Sequence, residues 1–236
     1  MNERDRADKI LKILKENYSL PNWASSKREP FQTLIRTVLS QATNDRNRDR
    51  AYKNLEEKYH INPKSLAAAN VKEIELAIRV GGLYRNKSQK IKELSKMVLE
   101  RFDGSLDFVY SEPFEKARSM LMGIPGVGPK TADVVLLFAA KKPNVPIDTH
   151  VNRVSRRLGL APIKGDYEEI RGALESLYSP GDYLAVHLLL ISLGRSNCRA
   201  RNPMHGSCPV KSLCPTAQKE VKQPELHRLH GSRDYP

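Results

Sequence analysis

Long apolar runs are missing from this chain of 236 residues: the longest, Val134 to Ala140, has seven. A helix that crosses a membrane needs about 20 apolar residues in a row, so none is expected and no membrane partner either. The first residues, Met1 to Lys9, are polar and no hydrophobic stretch follows them, so no secretory signal is expected and the chain is expected in the cytoplasm. Cysteine is scarce as well. The three present, Cys198, Cys208 and Cys214, form an odd and clustered set, which suits metal ligands better than a disulfide framework. Acidic residues are outnumbered, 27 against 40 Lys and Arg, leaving a net charge of +13. That excess suits a polyanion, nucleic acid before an anionic membrane surface. The length allows one large domain or two small ones.

What is present is helical periodicity. Phe31, Leu34, Ile35, Val38 and Leu39 fall at i, i+3, i+4, i+7 and i+8, one buried stripe of a helix over 30–41. Ile10, Leu11, Ile13 and Leu14 mark another over 7–17. Further helices are expected near 45–58, 71–79, 86–102, 113–121, 128–140, 149–158, 166–177 and 181–193. Glycine and proline punctuate them, among others at Gly81, Gly82, Pro125, Gly126, Pro180 and Gly194. No stretch alternates with period two, so the predicted class is all-α. From about Ala217 the chain turns polar and basic and reads as a frayed tail.

The stretch Leu121–Thr131 places Pro125, Gly126, Val127 and Gly128 between two helices. Glycine at 126 and 128 lets backbone N–H groups converge on a ligand without side chains in the way. With the N-terminal end of the next helix they make a site for a phosphate oxygen, which would hold a nucleic-acid backbone without reading its bases. An ordinary helix–turn–helix corner is the other reading of the same glycines.

This hairpin, followed by Ile147–Val154, resembles the helix–hairpin–helix DNA glycosylases of the endonuclease III type. Val38–Thr43 resembles the end of that family's early helix, Gly82–Lys87 its intercalating loop, and the cysteine cluster its iron–sulfur loop. The resemblance runs in order over about residues 5 to 216. It implies a DNA glycosylase with AP lyase activity that acts on double-stranded DNA carrying a damaged or mismatched base, as a monomer. Oxidised pyrimidines are the expected substrate. The rivals are a mismatch glycosylase for uracil or thymine, and a hairpin protein that binds DNA without catalysis.

The chemistry fits these residues. Breaking a glycosidic C–N bond passes through positive charge on the sugar, which a nearby carboxylate stabilises. An amine that attacks the same carbon leaves a Schiff base, which can cut the strand by β-elimination. Lys130 sits in the first turn after the hairpin, where the positive helix end disfavours the ammonium form. Asp148 follows 18 residues later, the spacing of catalytic lysine and aspartate in the family. By resemblance Lys130 is the nucleophile and Asp148 the essential carboxylate. Taken alone, Asp148 is also a good N-cap and Lys130 a plain phosphate contact.

A base inside a duplex must be flipped out and the hole filled. By resemblance Gln41 faces the orphaned base and Leu83 wedges the stack; a core residue closing a helix is the other reading of Leu83. His150 matches a residue lining the lesion pocket, with a structural histidine as the equal alternative. Arg46, Arg48, Arg50, Arg85, Lys87 and Lys90 are candidates to flank the DNA, or simply a solvated face.

In the metal loop the run is Cys198, His205, Cys208, Cys214, with six, two and five residues between them. The family's four positions are all there, but the second is histidine. The resemblance implies a 4Fe–4S cluster with one histidine ligand; a Cys3His set for zinc is the alternative. The implied architecture is two helical lobes with a DNA cleft between them. The first is 22–134 with the hairpin, the second 1–21 plus 135–216 with the metal loop, and 217–236 is the tail.

Overall fold

Side-chain caps decide where most of the helices begin. In the computed structural model, which describes residues 2–26 and 28–221, Asn2 accepts a hydrogen bond from the Asp5 N–H and starts α1 (Glu3–Asn17). The Glu29 carboxylate accepts from the N–H groups of Phe31 and Gln32 ahead of α2 (Pro30–Leu39). Asn44, Asn62 and Asn70 do the same for α3 (Asp45–Lys58), α4 (Pro63–Ala68) and α5 (Val71–Ile78). Each cap satisfies an N–H that has no partner within its helix, and its loss costs about 1 kcal/mol. Then come α6 (Tyr84–Arg101), α7 (Phe108–Ser111), α8 (Phe114–Met122) and α9 (Pro129–Phe138). Helices α10 (Thr149–Arg157), α11 (Tyr167–Leu177), α12 (Tyr183–Ser196) and α13 (Pro215–Val221) complete the series. Among the described residues there is no strand, and the all-α class holds.

The chain divides into two compact units: Asn22–Pro146, and Met1–Pro21 with the chain from Ile147 onward. In the first, α2 is the central helix. Phe31, Leu34, Ile35, Val38 and Leu39 are all buried, and α3, α6 and α9 pack around them. Fully burying a side chain of this size contributes about 1.5 to 3 kcal/mol. Between the two hairpin helices Arg118 Nε donates to Asp133 Oδ1 at 2.6 Å, with the aspartate side chain fully buried. The pair ties α8 to α9 directly behind the hairpin turn.

In the second unit α1 buries Ala7, Ile10, Leu11 and Leu14 against α12 and α11. Arg6 donates to the carbonyls of Leu158 at 2.6 Å, Gly159 at 2.7 Å and Leu213 at 3.1 Å, holding the end of α10 and the turn before α13 together. Gly194, expected to stop a helix, stands inside α12. A Cβ there would lie 2.9 Å from His150 Nδ1 and 3.1 Å from Val154 Cγ2, so the glycine serves the contact of α10 with α12.

Two further differences from the sequence reading have simple causes. The short helices α4 and α7 were not expected, because six and four residues are too few to establish a period. The tail expected from Ala217 starts as helix α13, because Ala217 is buried; residues 222–236 of that tail lie outside the described residues.

The Arg118–Asp133 pair generates a stability prediction. Arg118→Met strands a buried carboxylate and should cost about 3 to 5 kcal/mol. Arg118→Met with Asp133→Leu should recover most of that loss. Urea unfolding of the three proteins measures both, and a single variant as stable as the parent would contradict the pair's role.

Candidate functional site

Six residues turn between α8 and α9. Gly126 has φ +75°, where a Cβ is strained, and that Cβ would lie 2.5 Å from Cδ and Cε of Lys90. The chain itself therefore demands this glycine. Gly128 is different: its backbone is extended, with φ −94°, and a Cβ there would meet nothing within 4 Å. Among the described residues nothing requires glycine at 128, and the space beside it is open. Gly128 is exposed, and no side chain caps α9. Pro129 at the first helical position has no N–H, while Thr131 and Ala132 both donate to the Gly128 carbonyl at 3.0 Å. The positive end of α9 is left without a side-chain anion of its own. Lys130, half-buried, is the second residue of this helix.

Gln41 and Leu83 belong to the same unit. Gln41 is half-buried in the turn that leaves α2, next to Ala42 with φ +49°. Leu83 is 58% exposed and adopts the left-handed region, with φ +47° and no side-chain cap hydrogen bond. A branched apolar residue in that conformation costs about 1 to 2 kcal/mol, and here more than half of it stays exposed. An open depression lined by Leu83, Tyr84, Arg85 and Asn86 lies beside it. Lys90 Nζ stands 3.5 Å from Gln41 Oε1 while its stem lies across Gly126, bringing the Gln41 turn and the hairpin turn to one side chain.

Asp148 and His150 lie in the other unit. Asp148 caps α10, its Oδ1 accepting from the Val151 N–H at 2.7 Å. The cap reading and a fixed carboxylate direction thus come together. His150 is half-buried against Gly194, with Nδ1 3.2 Å from Arg153 Nη2. Burial is the main cause that holds its imidazole below the usual histidine range, with Arg153 and Arg195 adding to it and Asp148 opposing.

The three thiols are buried. Burial raises the Cys208 thiol, and the neighbouring Cys214 and Cys198 raise it further, which places the three sulfurs in one neighbourhood. Nitrogen donors face two of them: Arg157 Nη1 is 3.5 Å from Cys198 Sγ, and the Ala217 N–H is 3.5 Å from Cys214 Sγ. Half-buried His205 stands in the same loop, its carbonyl accepting from the Cys208 N–H. Among the described residues, however, no three His, Cys, Asp or Glu side chains converge closely enough to hold a metal ion. Three thiols and an imidazole are donors of the kinds that iron–sulfur clusters take.

Two of the cations expected to flank DNA do something else. Lys87 is 3% exposed and donates to two backbone carbonyls, so it is no surface contact. Arg48 is paired with Asp45 at 2.6 Å and Asp49 at 2.8 Å. Arg46, Arg50 and Arg85 are exposed. The sequence reading also missed Arg153, which donates to the carbonyls of Cys198 at 3.0 Å and Gly194 at 2.9 Å. For Lys87 a signal existed: it shares the spacing of Ile91, Leu94 and Val98, the buried stripe of α6.

Residues 35–180 match the HhH-GPD superfamily of base excision DNA repair proteins. Over 194 residues the chain is 36% identical to endonuclease III of Bacillus subtilis (strain 168), covering 82% of this chain and 84% of that one. It is 34% identical over 226 residues to endonuclease III of Sulfolobus acidocaldarius, covering 92% and 99%. A trapped endonuclease III–DNA covalent intermediate, an estranged-adenine complex, matches the fold with a TM-score of 0.81 and 32% identity, over 94% of this chain and 100% of that one.

The two hairpin glycines should separate in unfolding experiments. Gly126→Ala meets both positive φ and the Lys90 stem, and should lower stability by about 1 to 2 kcal/mol. Gly128→Ala meets neither and should leave the urea midpoint where it is; equal losses at both positions would refute the distinction.

Proposed function

This chain belongs to the HhH-GPD superfamily of base excision DNA repair proteins and is an enzyme, a DNA glycosylase with AP lyase activity; we propose that it removes oxidised pyrimidines through a Schiff base on Lys130. The observation that carries the proposal is the open end of α9. A glycine with no structural reason, an uncapped helix and a lysine in the first turn stand in consecutive positions. That the similar solved structure is a covalent protein–DNA intermediate supports an attacking side chain in this fold.

In this reading the N–H groups of the hairpin and the positive end of α9 grip a phosphate oxygen, positioning duplex DNA without regard to sequence. The damaged nucleotide leaves the stack, Leu83 enters the gap, and Gln41 meets the orphaned base. The Lys130 amine attacks the sugar carbon that carries the base, and the base departs. The resulting Schiff base opens the strand by β-elimination. Asp148, its direction set by the Val151 N–H, stabilises the positive charge that develops on the sugar.

The buried thiols Cys198, Cys208 and Cys214, with His205 as the fourth ligand, would hold a 4Fe–4S cluster. When bound it supplies a structural cross-link for a loop that Arg153, Arg157 and Arg6 already attach to α10. Purification without oxygen should give about four iron and four sulfide per chain. One zinc without sulfide would replace the cluster assignment.

Borohydride trapping on abasic-site DNA tests the chemistry. Lys130→Gln should abolish the covalent adduct and change duplex affinity only modestly, since one cation contributes little to the whole. Asp148→Asn keeps an N-cap side chain and should lose excision far more than stability. Gly128→Ala should weaken binding to undamaged duplexes of any sequence alike. Full trapping by Lys130→Gln would remove that lysine from the mechanism.

A further inference from the structure

Lys87 is a cation almost fully withdrawn from water, and its hydrogen bonds go to two unusual places. Nζ donates at 2.9 Å to the carbonyl of Leu39, the last residue of α2, and at 2.9 Å to the carbonyl of Gly81, the last residue of a 3-10 turn over Arg79–Gly81. Both carbonyls are helix-end acceptors that carry partial negative charge, so they suit an ammonium. Each also stands two residues before a residue of the proposed gap-filling pair: Leu39 before Gln41, Gly81 before Leu83. The two turns run side by side, with a Cβ on Gly82 falling 3.9 Å from the Ala42 carbonyl. The Lys87 N–H in turn donates to the Leu83 carbonyl at 3.0 Å, so the same residue holds Leu83 from its far side.

We propose that Lys87 is a positioning residue that fixes the spacing between Gln41 and Leu83 before DNA arrives, so that both enter the gap left by a flipped nucleotide as one rigid unit. The proposal rests on the reading of Gln41 and Leu83 as the gap-filling pair. Its physical basis is pre-organisation. Both turns contain non-glycine residues in the left-handed region, Ala42 and Leu83, which a free loop would abandon. A buried ammonium that would otherwise stand without oxygen partners keeps both turns in place. Burial pushes the Lys87 amine below its ordinary range, and donation to two carbonyls is what the desolvated group has instead of water. Lys90, one helical turn on, reaches Gln41 from the same helix, so α6 supports the Gln41 turn at a second point.

The test uses a duplex with a tetrahydrofuran abasic analogue facing 2-aminopurine, whose fluorescence reports the unstacking of the orphaned base. Lys87→Met, close in volume and without donors, should bind undamaged duplex like the parent. Its preference for the abasic duplex should drop about tenfold, the worth of ordering about one backbone residue, and the 2-aminopurine signal should fall with it. In a Gln41→Ala, Leu83→Ala background the same substitution should change neither quantity further. A Lys87→Met protein with the parent's preference and signal overturns the proposal. So does an effect of full size in the doubly truncated background, because Lys87 would then act on something else. If truncating Gln41 and Leu83 leaves preference and signal intact, the gap-filling reading fails first, and that result is distinct from the other two. Should Lys87→Met not fold, Lys87→Gln is the second variant. Its shorter amide reaches one carbonyl but not both, so it should lose the same preference and signal in smaller degree, and parental values overturn the proposal.

Discussion

A cation taken out of water must be met by oxygen, and in this protein the oxygens are repeatedly backbone carbonyls at the ends of helices and in turns. Lys87 holds Leu39 and Gly81; Arg6 holds Leu158, Gly159 and Leu213. Lys92 closes on Ala69, where α4 ends, and Lys142 on Glu112, where α7 ends. Arg156 takes Gly165, and Arg157 takes Arg199 and Ala200 in the cysteine loop. A helix leaves its last carbonyls without partners, and a long flexible cation can reach one from a distant part of the chain. These contacts fix connections between helices alongside exposed ion pairs such as Lys15–Asp182, Arg36–Asp49 and Lys58–Glu73. The Arg118–Asp133 pair differs from those in being buried, and it joins the two hairpin helices.

The hairpin separates two reasons for glycine that a sequence presents as one. Gly126 is required by positive φ and by the Lys90 stem, both internal to the fold. Gly128 answers to no internal requirement, and it is the one that adjoins the open end of α9. Asp148 makes the corresponding point for a carboxylate. Capping α10 and serving chemistry are compatible roles for one residue, because a cap sets its side chain's direction. In the structure the cap fixes one oxygen, and so gives the carboxylate a single direction, as the proposed chemistry would require.

How much could be read beforehand followed from how local each cause is. Apolar stripes such as that of α2 and the glycine and proline breaks are set within a few residues, and ten helices were legible from them. Gly194 was misjudged because its reason, His150 and Val154 on another helix, lies some forty positions away. Lys87 looked like one more surface cation in a basic loop, although its register with Ile91, Leu94 and Val98 already placed it on the buried face. The candidate site residues were named as types in a family pattern. That Leu83 is exposed on a left-handed backbone, and that His150 rests on a glycine, depends on packing no spacing rule contains.

The same structure changes what the net charge means. With 40 Lys and Arg in the chain, a basic protein invites the reading that the excess is there for a polyanion. Salt dependence of DNA binding counts only cations that displace counterions from phosphate. A lysine whose three donors are turned into the fold, as Lys87's are directed to two carbonyls, displaces none; nor does an arginine that holds a loop carbonyl at its full reach. Part of the excess is therefore structural, supplying donors to backbone carbonyls that would otherwise lack a partner. Exposed side chains such as Arg46, Arg50 and Arg85 remain available to a polyanion, and the backbone N–H groups at the start of α9 add partial positive charge that does not appear in the count of lysines and arginines.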